Sequence, residues 1–80
     1  MDKLFKQIEE NFGISFKDRD LDRIRGLRFS EDLEADSLDQ VEFVLDLEDI
    51  YVTDIPDDEA YKFLTIGDVL DYLEKEDLLD

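Results

Sequence analysis

A hydroxyl flanked by acids is the feature of this sequence that invites chemistry. In the stretch Glu34-Ala35-Asp36-Ser37-Leu38-Asp39-Gln40-Val41-Glu42, a serine stands where a region without helical period gives way to the strongest helical pattern in the chain. A hydroxyl at a helix N-terminus meets unpaired backbone N–H groups and the positive end of the dipole, and both favour an attached phosphate or phosphodiester. The loop before it leaves the site open to an enzyme. Ser37 is therefore read as a site of modification and not as a resident nucleophile. The chain has no His and no Cys, which excludes a Ser-His-Asp constellation, imidazole acid–base chemistry, thiol nucleophiles, disulfides and thiolate metal sites. Asp36 and Ser37 are also good N-cap types, so the plainer reading is a helix cap, and Asp-Ser-Leu alone would not outweigh it. The context of the helix below it does.

That helix is predicted over 37–51. At 100° per residue, Asp39, Glu42, Asp46 and Asp49 fall in one arc and form an acidic stripe. The apolar residues cover much more than the arc of about 100° usual for a surface helix, interrupted only by Gln40 and Glu48. Phe43, Val44, Leu47, Ile50 and Tyr51 suit a core. Leu38, Val41 and Leu45 flank the acidic stripe and are left over for a partner, unless residues 14–36 fold over them.

The remaining elements are those needed to hold this helix. Residues 2–12 carry Leu4, Phe5, Ile8 and Phe12 on one helical face, with Gly13 as the stop. Residues 14–36 have no sustained period, and a short helical turn is expected near 19–24. Asp18-Arg19-Asp20-Leu21-Asp22 resembles the start of a calcium loop, but Arg23 and Phe29 occupy the sixth and twelfth places, where Gly and a bidentate Glu are needed. No metal site is read. Pro56 ends any preceding helix, and the acids Asp57, Asp58 and Glu59 suit the first turn of a short helix over 57–63, with Ala60, Phe63 and Leu64 facing inward. Thr65-Ile66-Gly67-Asp68 reads as a loose capping box opening a last helix, 66–75, with a tail that frays or docks through Leu78 and Leu79. The fold class is all-α: a four-helix bundle of three longer helices and one short one, with a long loop between helices 1 and 2. One domain spans 1–80.

Charge narrows the partners. The formal net charge is −16, with −3 in residues 1–36 and −13 in residues 37–80. A polyanion of this strength argues against nucleic acid and anionic membranes, and for basic protein partners docking on the second half. No apolar run approaches the roughly 20 residues that a membrane span needs. The expectation is a cytoplasmic monomer that does not insert into membranes.

With these elements laid out, Phe29-x-x-x-Leu33-x-Ala35-Asp36-Ser37-Leu38-Asp39-x-Val41-Glu42, followed by Asp54-Ile55-Pro56-Asp57-x-Glu59-Ala60, resembles the discrete acyl carrier proteins of fatty-acid synthesis, which belong to the phosphopantetheine-binding carriers. The resemblance runs from about Phe29 to Leu73. It implies that a phosphopantetheinyl transferase places 4′-phosphopantetheine on Ser37, between Asp36 and Leu38, and that the arm's thiol carries acyl chains as thioesters. It implies that Asp36, Asp39, Glu42, Glu48 and Asp49 meet basic patches on fatty-acid synthesis enzymes, with Asp46 extending the stripe and Leu38, Val41 and Leu45 packing on the same partners. It implies an acyl pocket near Phe29, Leu47, Ile55, Ala60, Phe63 and Val69. The chain departs from the family at Glu34, where Gly is common, at Asp46, usually small or apolar, and in its Arg-rich first loop. A specialised carrier for polyketide, aryl, aminoacyl or D-alanyl groups is the alternative within the class, although peptidyl carriers usually have Gly-Gly where Glu34-Ala35 stands. Outside it lie an unmodified acidic interaction module and, remotely, a hydrolase with paired carboxylates. The favoured reading is a carrier and not an enzyme.

Overall fold

The computed structural model describes residues 2–17 and 20–79. Among the described residues five helices follow one another: α1 (Asp2–Phe12), α2 (Leu21–Arg25), α3 (Ser37–Tyr51), α4 (Asp57–Ala60) and α5 (Ile66–Lys75). The three long helices have the bounds that their apolar periods predict. The expected turn near 19–24 is the five-residue α2, begun by Asp20, whose side chain accepts from Arg23 N–H. Part of the Asp18–Asp22 segment weighed as a calcium loop lies outside the described residues.

The short helix ends sooner than predicted. After Ala60 the bonds Lys62 N–H to Glu59 O (3.1 Å) and Phe63 N–H to Ala60 O (3.2 Å) are tightened three-residue turns. This rotation buries Phe63 at 3% exposure and turns Leu64 out to 71%, correcting the expectation that Leu64 faces inward. The backbone gains a different partner there. Phe29 N–H donates to Leu64 O (3.1 Å) and Ile66 N–H to Leu27 O (3.0 Å), around an isolated antiparallel bridge between Arg28 and Thr65.

α1 packs along α3, and α2 against α5. Gly67 makes the second contact possible. A Cβ there would sit 2.9 Å from the Arg25 carbonyl oxygen, closer than packed atoms tolerate. The Arg25 guanidinium also pairs with Asp71 at 2.7 Å, which raises its pKa. Between these pairs the aromatic rings of Phe12, Phe29 and Phe43 form a mutual cluster with centroids 5.4–5.9 Å apart. Phe29 thereby ties the long first loop to both α1 and α3. Leu78 and Leu79 pack against the core, so the tail docks as far as it is described.

The excess of carboxylates sets an opposing term. Ion pairs such as Arg28–Glu31 (2.6 Å) and Arg28–Asp32 (3.3 Å) stand on the surface and offset little of the −16 charge. Asp32 itself is held below the ordinary carboxylate range, first by the Arg28 backbone N–H and then by its guanidinium. Raising salt from low to moderate ionic strength screens the repulsion and is expected to raise the melting temperature. A gain of about 1 kcal/mol corresponds to about 4–8 °C for a domain of this size. A melting temperature indifferent to salt would contradict this.

Candidate functional site

Ser37 is the first residue of α3, and its side chain is exposed. The cap is Asp36. Its carboxylate accepts from Asp39 N–H (2.9 Å), and the Asp39 carboxylate accepts from Asp36 N–H (3.1 Å), a reciprocal capping box. Asp36 therefore starts the helix, and the Ser37 hydroxyl is not needed for that task. The first N–H groups of a helix have no partner within it. With Asp39 N–H taken by Asp36, those of Ser37 and Leu38 remain at the terminus beside the hydroxyl.

The approach to Ser37 is anchored on both sides. Leu33 and Ala35 are buried, and Ala35 N–H donates to Phe29 O at 2.8 Å. Between them Glu34 is forced to φ 54°, the left-handed region. This is the position where the resemblance leads one to expect Gly, and the backbone there has the conformation that Gly adopts without cost. Glu34→Gly is expected to stabilise the fold by up to about 1 kcal/mol in chemical denaturation. A loss of stability would show that the glutamate side chain contributes more than its backbone strain costs. Val52, at the end of α3, is also left-handed (φ 50°), closing the helix with Thr53 N–H on Glu48 O at 3.0 Å.

The predicted partner face divides. Leu38, Val41 and Leu45 are 65%, 54% and 55% exposed, an apolar strip beside the exposed carboxylates of Glu42 and Asp49. Asp39 is exposed but engaged in the capping box. Asp46 is half-buried and accepts from Asn11 Nδ2 (2.9 Å) and Gln7 Nε2 (3.5 Å), so it faces α1. Glu48 is also half-buried, and its Oε2 accepts from Ile55 N–H at 2.8 Å. Both carboxylates bond α3 to neighbouring segments, Asp46 to α1 and Glu48 to the backbone just before Pro56.

An apolar groove of about 370 Å³ runs down α3 from Ser37. The α3 wall runs from Ser37 through Gln40 and Val44 to Glu48, with the exposed Val41 and Leu45 along its edge, and the opposite wall includes Ile55, Ala60, Phe63 and Leu64. Of the residues expected to form an acyl pocket, Ile55, Ala60 and Phe63 line it. Phe29, Leu47 and Val69 do not: they are at most 1% exposed in the core. Sequence reasoning missed Gln40 and Val44 as lining residues. Their spacing from Ser37, i+3 and i+7, puts them on its face and was the available signal. Tyr61 (84% exposed) and Leu64 stand at the rim.

Residues 28–73, more than half of the chain, match the family described as the phosphopantetheine attachment site. The acyl carrier protein of Lactobacillus johnsonii is 44% identical over 72 residues, covering 89% of this chain and 84% of that protein. That of Lactobacillus acidophilus is 42% identical over 73 residues, covering 90% of each. A solved acyl carrier protein from Enterococcus faecalis, described for its high thermal stability, superimposes with a TM-score of 0.66 at 39% identity. It covers 89% of this chain and 85% of that one.

Proposed function

The chain belongs to the acyl carrier proteins of the phosphopantetheine-binding family, which hold the arm covalently, and we propose that Ser37 is its point of attachment. The observation that carries this is an exposed hydroxyl on the first residue of a 15-residue helix that another residue already caps. The residues fit a phosphodiester. The Ser37 and Leu38 N–H groups face the helix terminus, and the nearest carboxylates, Asp36 and Asp39, are turned onto backbone donors. When bound, the arm supplies a terminal thiol that holds acyl groups as thioesters.

Loading forms a bond from Ser37 Oγ to the phosphorus of the pantetheine phosphate in coenzyme A. The pyrophosphate bond breaks and adenosine 3′,5′-bisphosphate leaves. The nearest carboxylates, Asp36 and Asp39, are held on backbone N–H donors in the capping box, which leaves the base that takes the hydroxyl proton to the transferase. The carrier itself catalyses nothing. Leu38, Val41 and Leu45, edged by Glu42 and Asp49, form the surface on which basic enzymes dock, and fatty-acid synthesis enzymes are the proposed partners in the cytoplasm. Acyl chains seat in the groove beside Ser37. Fragmentation of the chain after incubation with coenzyme A and a transferase tests the assignment. The arm is expected on Ser37, and an arm found on Ser15 or Ser30 would refute it.

A further inference from the structure

We infer that Gln40 is a latch across the mouth of the groove, governing how readily an apolar chain hung from Ser37 passes inside; this rests on Ser37 as the attachment point. The Gln40 side chain crosses from α3 to the opposite wall, where its Nε2 donates to Phe63 O at 2.6 Å. It lies one turn below Ser37 on the same helix face. Glu48, about 12 Å further along α3 at 1.5 Å per residue, makes the corresponding bond at the far end, accepting from Ile55 N–H at 2.8 Å. These two cross-links bracket the groove. Between them the lining is apolar: Val44, Ile55 and Phe63 are 8%, 5% and 3% exposed.

The wall that Gln40 holds has little rigidity of its own. α4 is a single turn, Asp57–Ala60, without a side-chain cap. Immediately past the latch the chain is tied down again, by Phe29 N–H on Leu64 O (3.1 Å), so release at Phe63 is a local movement. A two-carbon acyl group has too little apolar surface to be held in the groove, where each buried CH2 contributes about 0.8 kcal/mol, so its exposure does not depend on Gln40. A ten-carbon chain entering from the Ser37 end displaces the Gln40–Phe63 bond. A hydrogen bond of this kind contributes about 1 kcal/mol net, so its removal shifts the balance between seated and exposed chain about fivefold toward seated.

The test uses the full chain, loaded with a ten-carbon or a two-carbon acyl arm, as wild type, Gln40→Glu and Gln40→Met. Both replacements keep the length of the side chain and lack the N–H donor, and they differ in charge. Cleavage of the thioester by hydroxylamine, followed by intact mass, reports the exposed fraction. The ten-carbon thioester is expected to be cleaved up to about fivefold more slowly in both variants than in wild type, with two-carbon cleavage unchanged. A purely structural role for Gln40 would lower the melting temperature and leave the ten-carbon rate unchanged or faster, and either rate result overturns the latch. Failure of the attachment reading is separate: it appears at the loading step, as an arm that still attaches after Ser37→Ala.

Discussion

Replacing Ser37 with Ala is expected to abolish loading completely while leaving the fold in place. The completeness follows from the chemistry. The bond to phosphorus is made by a single oxygen, and no neighbouring side chain offers a substitute, since the residues on either side are Asp36 and Leu38. The intact fold follows from the cap. Asp36, not Ser37, accepts from Asp39 N–H and closes the box. Exposed substitutions away from caps and cores usually stay within about 0.5 kcal/mol, so the melting temperature of Ser37→Ala should match wild type within a few degrees. Asp36→Ala provides the contrast, because losing an N-cap costs about 1 kcal/mol. Intact mass and thermal melting on the same samples separate the two effects. Loading that persists in Ser37→Ala would place the chemistry on another hydroxyl.

Phe29→Ala is expected to have the largest effect on stability. Phe29 is 1% exposed and its ring meets those of Phe12 at 5.9 Å and Phe43 at 5.7 Å. Its backbone also joins three segments, donating to Leu64 O and accepting from Ala35 N–H at the approach to Ser37. Truncating a buried Phe costs about 3–5 kcal/mol. Small domains have total stabilities near the lower end of about 5–15 kcal/mol, so the variant is expected to be near its midpoint at room temperature or already unfolded. Thermal melting should register a fall of at least about 12 °C. A loss under about 1 kcal/mol, accompanied by weaker protection of a long acyl chain, would instead return Phe29 to the wall of the acyl cavity.

What the sequence made legible was local. α1, α3 and α5 are bounded by signals inside their own segments: the glycine after Phe12, the Asp36 cap, the Thr65–Asp68 box and the apolar periods between. The long loop was opaque because its residues are held by distant ones. Leu27, Phe29 and Arg28 pair with the Leu64–Ile66 segment, and nothing near them in the chain announces it. Asp46 shows the same limit on a smaller scale. A helical projection puts it in one arc with Asp39, Glu42 and Asp49, but Gln7 and Asn11 of α1 supply amide donors that the projection does not contain. Gln40 and Glu48 read as interruptions of an apolar face. In three dimensions these two polar residues span the groove, because Phe63 O and Ile55 N–H lie opposite them. Glu34 was legible in its identity as a departure from Gly, and its left-handed backbone gives that departure a physical meaning.

The central claim is that the hydroxyl at the start of α3 holds the arm. Besides Ser37, the chain contains only Ser15 and Ser30 as serines, both exposed. The most direct measurement is the intact mass of the Ser15→Ala, Ser30→Ala double variant, whose sole serine is Ser37, after incubation with coenzyme A and a phosphopantetheinyl transferase. The predicted result is a gain of one arm, equal to that of wild type, and no gain when Ser37→Ala is added. A double variant that stays unmodified while wild type is loaded would contradict the account.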